Sequence, residues 1–130
     1  MNDEQLINAA IKVREKAYAP YSKFKTGAVL LGAYGEIYAG ANVENSSYSL
    51  TVCAERVAVF NAISAGCKSF VKLVLVSGSS PPAIPCGACL QVLFEFAPDL
   101  VIVCANDENE VNTFSLSQLL PQGFRLKEKF

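Results

Sequence analysis

The amino-acid sequence predicts a layered α/β domain whose sheet combines a hairpin with parallel crossovers. Three observations carry this reading. Segments with helical spacing alternate with short strand-like runs in the order α-β-β-α-β-α-β-β-α. Two of the runs, VKLVLVS (Val71–Ser77) and DLVIVCA (Asp99–Ala105), are apolar and rich in β-branched residues, as inner strands are. The stretch AYGE between two earlier runs has the composition of a tight turn, so those runs pair as a hairpin. No repeat and no linker interrupts the 130 residues, and a single domain over 1–130 is expected.

Each element has its own signal. Asp3–Ala17 reads as an amphipathic helix with Leu6, Ala10, Val13 and Ala17 on one face. Asp3 and Glu4 sit in its first turn, where the helix dipole favours acids, and Pro20 stops it. TGAVLLG and EIYAGA are the hairpin strands, and NVENSSYSL is a polar loop. A second helix runs from near Val52 to about Ala65, with Gly66 closing it. Val52, Ala54, Val57, Ala58, Val59, Phe60, Ala62 and Ile63 surround that helix almost completely. An all-round apolar helix in a small domain points to a subunit interface as well as a core. GSSPPAIP is a loop, and CGACLQVLFEF is a helix that begins at Cys86, just after Pro85. NDENE is a turn, Val111 and Phe114 belong to a weak last strand, and SLSQLL is a short helix before Pro121.

The totals narrow the function. Apolar residues make up 52% and charged residues 18%, which argues for a packed core over disorder. The formal net charge is −1, without the basic stripe of a nucleic-acid binder, so a small or neutral partner is expected. The uncharged window from Leu73 to Phe94 is long enough to span a bilayer, but SGSSPPAIP in its middle breaks any helix. The opening MNDEQLINAA is not a secretory leader, and a cytoplasmic location is expected. Five cysteines and no histidine remain. An odd cysteine count in such a chain favours metal binding or catalysis over a disulfide framework.

Cys86 and Cys89 lie three residues apart at a helix start, on one face and close enough to share an ion. Helix N-termini also favour the thiolate. Alone, this CxxC fits half of a structural zinc site, a redox pair or a catalytic metal site. Cys53 opens the other helix. If the two N-termini converge, three thiolates surround one metal with no obvious fourth ligand. Structural zinc is closed by four protein ligands, whereas catalytic zinc leaves a position open. Cys67 lies at the far end of its helix, roughly 20 Å from Cys53 by helical rise. Cys104 sits in a strand run. Both read as packing residues.

Glu55 follows Cys53 by two residues. It reads either as a first-turn acid favoured by the dipole or as a proton carrier beside the metal, and the three thiols favour the second. Zn²⁺ with three thiolates carries a net −1. Arg56 can offset that by hydrogen bonding to sulfur, or it can be a surface arginine paired with an acid.

CAE at Cys53–Glu55 together with PCGAC at Pro85–Cys89 resembles the zinc-dependent nucleoside deaminases. YAPYSKFKTGA, NVENSSY, CAER, PCGACLQ and LLPQGF narrow the likeness to the small homotetrameric cytidine deaminases, from about Ala17 to Phe124. The resemblance implies a three-layer α/β/α cytidine-deaminase-like fold with a five-stranded mixed sheet. It also implies one Zn²⁺ per subunit, a cytidine or deoxycytidine substrate and a homotetramer. By the same resemblance, Cys53, Cys86 and Cys89 hold the zinc and Glu55 shuttles protons. Asn42 and Glu44 would hydrogen-bond the ribose hydroxyls, Phe24 would pack on the pyrimidine, and the Ala54 backbone would read the base edge. Phe124 would reach a neighbouring subunit's site. One departure stands out: many members carry arginine after the last ligand, where this chain has Leu90. The rival readings are a deaminase of another substrate class, such as free cytosine, blasticidin or a polynucleotide, and a structural zinc domain that binds a protein.

Overall fold

The structure, a computed structural model, describes residues 1–126. Helix α1 (Asp3–Arg14) starts at a reciprocal cap: Asn2 Oδ1 accepts from the Gln5 N–H and Gln5 Oε1 from the Asn2 N–H, both at 2.9 Å. The helix ends three residues before Ala17. The Lys16 and Ala17 N–H groups tighten onto Val13 and Arg14 carbonyls, and Tyr18 then leaves to bridge Val43. That bridge, with the Tyr18 N–H on the Asn42 carbonyl at 2.9 Å, outweighs the helical spacing at Ala17.

Strands β1 (Gly27–Gly32) and β2 (Ile37–Ala41) form the expected hairpin. Helix α2 (Ala54–Ser64) follows a short 3-10 turn at Tyr48–Leu50. It leads into β3 (Phe70–Ser77), helix α3 (Gly87–Phe96), β4 (Val101–Asn106), β5 (Val111–Ser115) and helix α4 (Leu116–Leu119). The five strands lie in the order β2-β1-β3-β4-β5. Only β3 and β4 are parallel; the other neighbours are antiparallel. The expected crossovers thus reduce to one, β3-α3-β4, because the chain returning from α2 brings β3 back antiparallel to β1.

Alternation along the strands sorts the core into two layers. Val29, Val74, Val76, Val103 and Ala105 face Leu6 and Ala10 of α1. Ala28, Leu30, Leu73, Leu75, Ile102 and Cys104 face α2, α3 and α4 through Ala58, Val59, Leu90, Leu93 and Leu116. This is the three-layer α/β/α arrangement. The girdle of apolar residues on α2 is not closed within one chain: Val59 is buried, while Phe60 remains 49% exposed.

Helix α2 approaches the hairpin at Gly40. A Cβ there would collide with the Ala58 amide nitrogen and lie 2.7 Å from the Ala54 carbonyl oxygen. Glycine therefore sets the depth at which the first turns of α2 sit on the sheet. Gly40→Ala is expected to push α2 outward and cost about 1–3 kcal/mol, as overpacking does. A urea midpoint equal to wild type would show that the helix is not held at this depth.

Candidate active site

Both cysteine-led helices begin as the residue spacing suggests. Cys53 is the N-cap of α2 and Cys86 the N-cap of α3, each in extended backbone (φ −71° and −70°), and neither side chain caps its own helix. Their sulfurs are therefore free to point off the helix ends. Cys89 sits one turn into α3 and is fully buried. The three Sγ atoms lie within 4.8 Å of one another, with Cys86 and Cys89 at 3.6 Å. Thiolates at about 2.3 Å around a tetrahedral ion would be roughly 3.8 Å apart, so the donor set suits one thiophilic divalent metal. Among the described residues, no fourth histidine, cysteine, aspartate or glutamate joins the group.

The electrostatics are those of crowded sulfurs beside one cation. The Arg56 guanidinium donates to Cys53 Sγ at 3.6 Å, and this contact holds its own pKa above the ordinary arginine value. Among the described residues, buried Arg56 Nε has no hydrogen-bond partner. A hydrogen bond with Cys89, aided by Arg56, brings the Cys53 thiol down to about 5. Cys89 moves the opposite way, because its bond to Cys53 and its burial favour the protonated form. Of these two, Cys53 therefore ionises more readily than Cys89. Glu55, 4% exposed in the first turn of α2, is raised to about 7, chiefly by burial and further by the charge on Cys53. A hydrogen bond from its own backbone acts in the other direction.

The cluster opens onto a pocket of about 200 Å³. Of the residues singled out in the sequence, Phe24, Asn42, Cys53, Glu55 and Cys86 line it. Thr26, Thr51, Leu75, Ala83 and Ile84 complete the wall. Thr26 lies within YAPYSKFKTGA and Thr51 two residues before Cys53, but no motif gives any of these five residues a role at the pocket. An adjoining cleft of about 360 Å³ is lined by Tyr21, Ser22, Glu44, Tyr48 and Thr51, so Thr51 joins the two. The roomier cavity, about 510 Å³ around Gly66, Cys67 and Tyr38, holds none of the clustered thiols.

Two of the singled-out side chains turn out to tie the pocket wall. Asn42 Oδ1 accepts from the Thr26 N–H and Nδ2 donates to the Phe24 carbonyl, both at 2.9 Å. Glu44 Oε1 accepts from the Tyr21 and Ser22 N–H groups at 3.0 and 3.2 Å, and Oε2 accepts from the Ser22 hydroxyl. The Ser22 hydroxyl bond holds the Glu44 carboxyl below its usual range, so it remains an anion. These bonds fasten the segment 18–26, which turns through Lys23 at φ 62° and presents Phe24 to the pocket.

Other positions lie apart. Ala54 is buried and does not line the pocket; as the first residue of α2, its N–H has no partner within the helix. Phe124 is 52% exposed and does not line the pocket, while its carbonyl accepts from Gln91 Nε2 at 2.8 Å. Leu90 packs in the core, 5% exposed. Cys67 bonds Glu36 and the Ser69 carbonyl at 3.6 Å. Cys104 is fully buried, and burial pushes its thiol up to about 12.

Residues 1–105 match the family described as "Cytidine and deoxycytidylate deaminase zinc-binding region". A cytidine deaminase of Sporosarcina psychrophila is 46% identical over 125 residues, covering 95% of this chain and 92% of that protein. One of Halalkalibacterium halodurans is 43% identical over 129 residues, covering 98% of each. The 1.6 Å crystal structure of cytidine deaminase from Burkholderia pseudomallei superposes with a TM-score of 0.93 at 46% identity, covering 95% of this chain and 100% of that one. By its sequence, its sheet order and its cluster of three thiols, the chain belongs to the cytidine and deoxycytidylate deaminase family.

Proposed function

We propose that this protein hydrolyses cytidine and deoxycytidine to uridine and deoxyuridine, releasing ammonia, as a step of pyrimidine salvage. The observation that carries the reading is the convergence of three thiols and a buried carboxylate, Cys53, Cys86, Cys89 and Glu55, at one small pocket with no fourth protein ligand among the described residues. Cys53, Cys86 and Cys89 would hold one Zn²⁺ per subunit. The chemistry such an ion supplies is Lewis acidity, which lets water ionise near neutral pH.

The chain's own residues do the rest. The Glu55 carboxyl, poised near neutrality by burial, takes the proton of the attacking water and delivers it to ring N3, which makes C4 electrophilic. It then helps protonate the departing amine, so that water and cytidine give uridine and ammonia. The aromatic face of Phe24 packs on the pyrimidine, and the Ala54 N–H, which has no partner within its helix, reads the base edge. Asn42 keeps a second N–H on Nδ2 for a sugar hydroxyl, and the Glu44 anion accepts from another. A carboxylate at that place repels a phosphate, which favours nucleosides over nucleotides. Arg56 offsets the negative charge of the thiolates through its bond to Cys53.

The same reading has the whole chain, 1–130, as one domain working in the cytoplasm as a homotetramer, with Phe124 completing a neighbouring subunit's site. Half-exposed Phe60 on α2 and the placement of Phe124 outside its own pocket support that assembly. Among the described residues, no helix is long and apolar enough to cross a membrane.

Purified protein incubated with cytidine should yield uridine and an equal amount of ammonia, followed by chromatography and an ammonia assay; no product with zinc bound would end this reading. Glu55→Gln should lose about 10²–10⁴-fold in kcat while retaining its metal, the amount positioned proton transfer contributes. A variant with near-normal turnover would remove Glu55 from the proton path. Arg56→Ala should still take up zinc but hold it about tenfold more weakly in a chelator competition, the scale of a hydrogen bond to a metal ligand. Equal zinc affinity and equal rate would dismiss the charge-offset role.

A further inference from the structure

We propose that Asn106 and Glu110 are positioning residues for the reaction, anchoring the loop that carries Ile84 and Cys86 to the pocket. The inference deepens the deamination reading above and rests on it for its effect on substrate. The loop between β3 and α3 has the sequence GSSPPAIP before Cys86. Three of its residues are prolines without an N–H, and among the described residues the segment 79–85 takes part in no backbone–backbone hydrogen bond. Side chains must therefore hold it. One set of ties comes from β3, where the buried Ser77 hydroxyl accepts from the Ala83 N–H at 3.3 Å and pairs with the Ser79 hydroxyl at 3.1 Å. The other comes from the far side of the β3-β4 pair.

Asn106, 6% exposed, closes β4 directly opposite Ser77. Its amide is fully engaged. Oδ1 accepts from the Glu108 and Glu110 N–H groups at 3.0 Å, which folds the β4-β5 turn. Nδ2 donates to the Ser79 carbonyl at 2.9 Å and to Glu110 Oε1 at 2.8 Å. The same Glu110 oxygen accepts from the Ser80 hydroxyl at 2.5 Å. Two consecutive loop residues, one through its carbonyl and one through its hydroxyl, are thus clamped to a turn that contributes no pocket residue. A buried amide with all four capacities used has one geometry to offer, so it transmits position instead of merely filling space. Ala83 and Ile84, which form part of the pocket wall, sit between this clamp and the Cys86 cap of α3.

Ser80 and Glu110 are exposed, so their variants spare the core. Ser80→Ala and Glu110→Ala should each raise KM for cytidine about 2- to 10-fold, the span of one net hydrogen bond, with kcat nearly unchanged. Amide hydrogen exchange across 78–86 should quicken in the same two variants of the full-length protein. Glu110→Gln keeps an oxygen for both donors and should restore wild-type KM and exchange. Asn106→Asp keeps the turn acceptor but loses the Nδ2 donors, and should reproduce the rise in KM. Wild-type KM in Ser80→Ala and Glu110→Ala, or unaltered exchange in the loop, would overturn the proposal; so would a lowered melting temperature with KM untouched. A wild-type protein that leaves cytidine unchanged would defeat the deamination reading alone, and the exchange measurement would still decide whether the clamp holds the loop.

Discussion

Everything in this molecule depends on bringing two helix N-termini face to face. A helix start leaves N–H groups unpaired and carries partial positive charge, which makes it a natural place for anionic sulfur. Here two such ends meet, at Cys53 and Cys86, and the first turn of one of them adds Cys89. Three thiols this close cannot all ionise without a cation among them, which is why Cys53 and Cys89 shift in opposite directions and why a guanidinium stands beside them. The rest of the fold satisfies that demand. Gly40 lets α2 settle onto the hairpin, and the single parallel pair, β3 and β4, requires a crossover helix that delivers α3 to the same sheet edge. The polar residues buried at those strand ends, Ser77 and Asn106, serve the loop between them.

Much of this was legible in the residues. The two cysteine motifs, CAE and PCGAC, both lie where helical spacing starts, and the caps fall on Cys53 and Cys86. The nine elements follow the expected order, with a 3-10 turn at Tyr48–Leu50 added. Periodicity is a strong signal when it runs for three turns or more, as in α1. It failed at Ala17, where a bridge from Tyr18 to Val43 ended the helix, because a partner 25 residues away leaves no mark on local spacing. The number of parallel pairs was equally hidden. Strand direction depends on how the chain crosses the sheet, and α2 returns it antiparallel.

The pocket shows the same division. Residues to which a motif gives a role were found; the residues beside them in the wall were not. Thr26 lies inside YAPYSKFKTGA, Thr51 two residues before Cys53 and Ala83 two before PCGAC, yet nothing in their side-chain chemistry singles them out. Asn42 and Glu44 were expected at the site on the strength of NVEN, yet their hydrogen bonds to the 18–26 segment lie beyond any motif. Polar side chains at a site can be architecture and recognition together, and only coordinates separate the two.

That double engagement has a consequence for how such a protein can change over generations. Glu44 fastens Tyr21 and Ser22, and Asn42 fastens Phe24 and Thr26, so the aromatic wall and the carboxylate proposed to meet the sugar are one mechanical unit. A mutation at position 44 selected to accept a different sugar would also slacken the wall beneath the base. Drift toward new nucleosides therefore has an easier route through residues that touch the cavity without bracing it, and Ile84, apolar and half-exposed at the pocket wall, is placed for that.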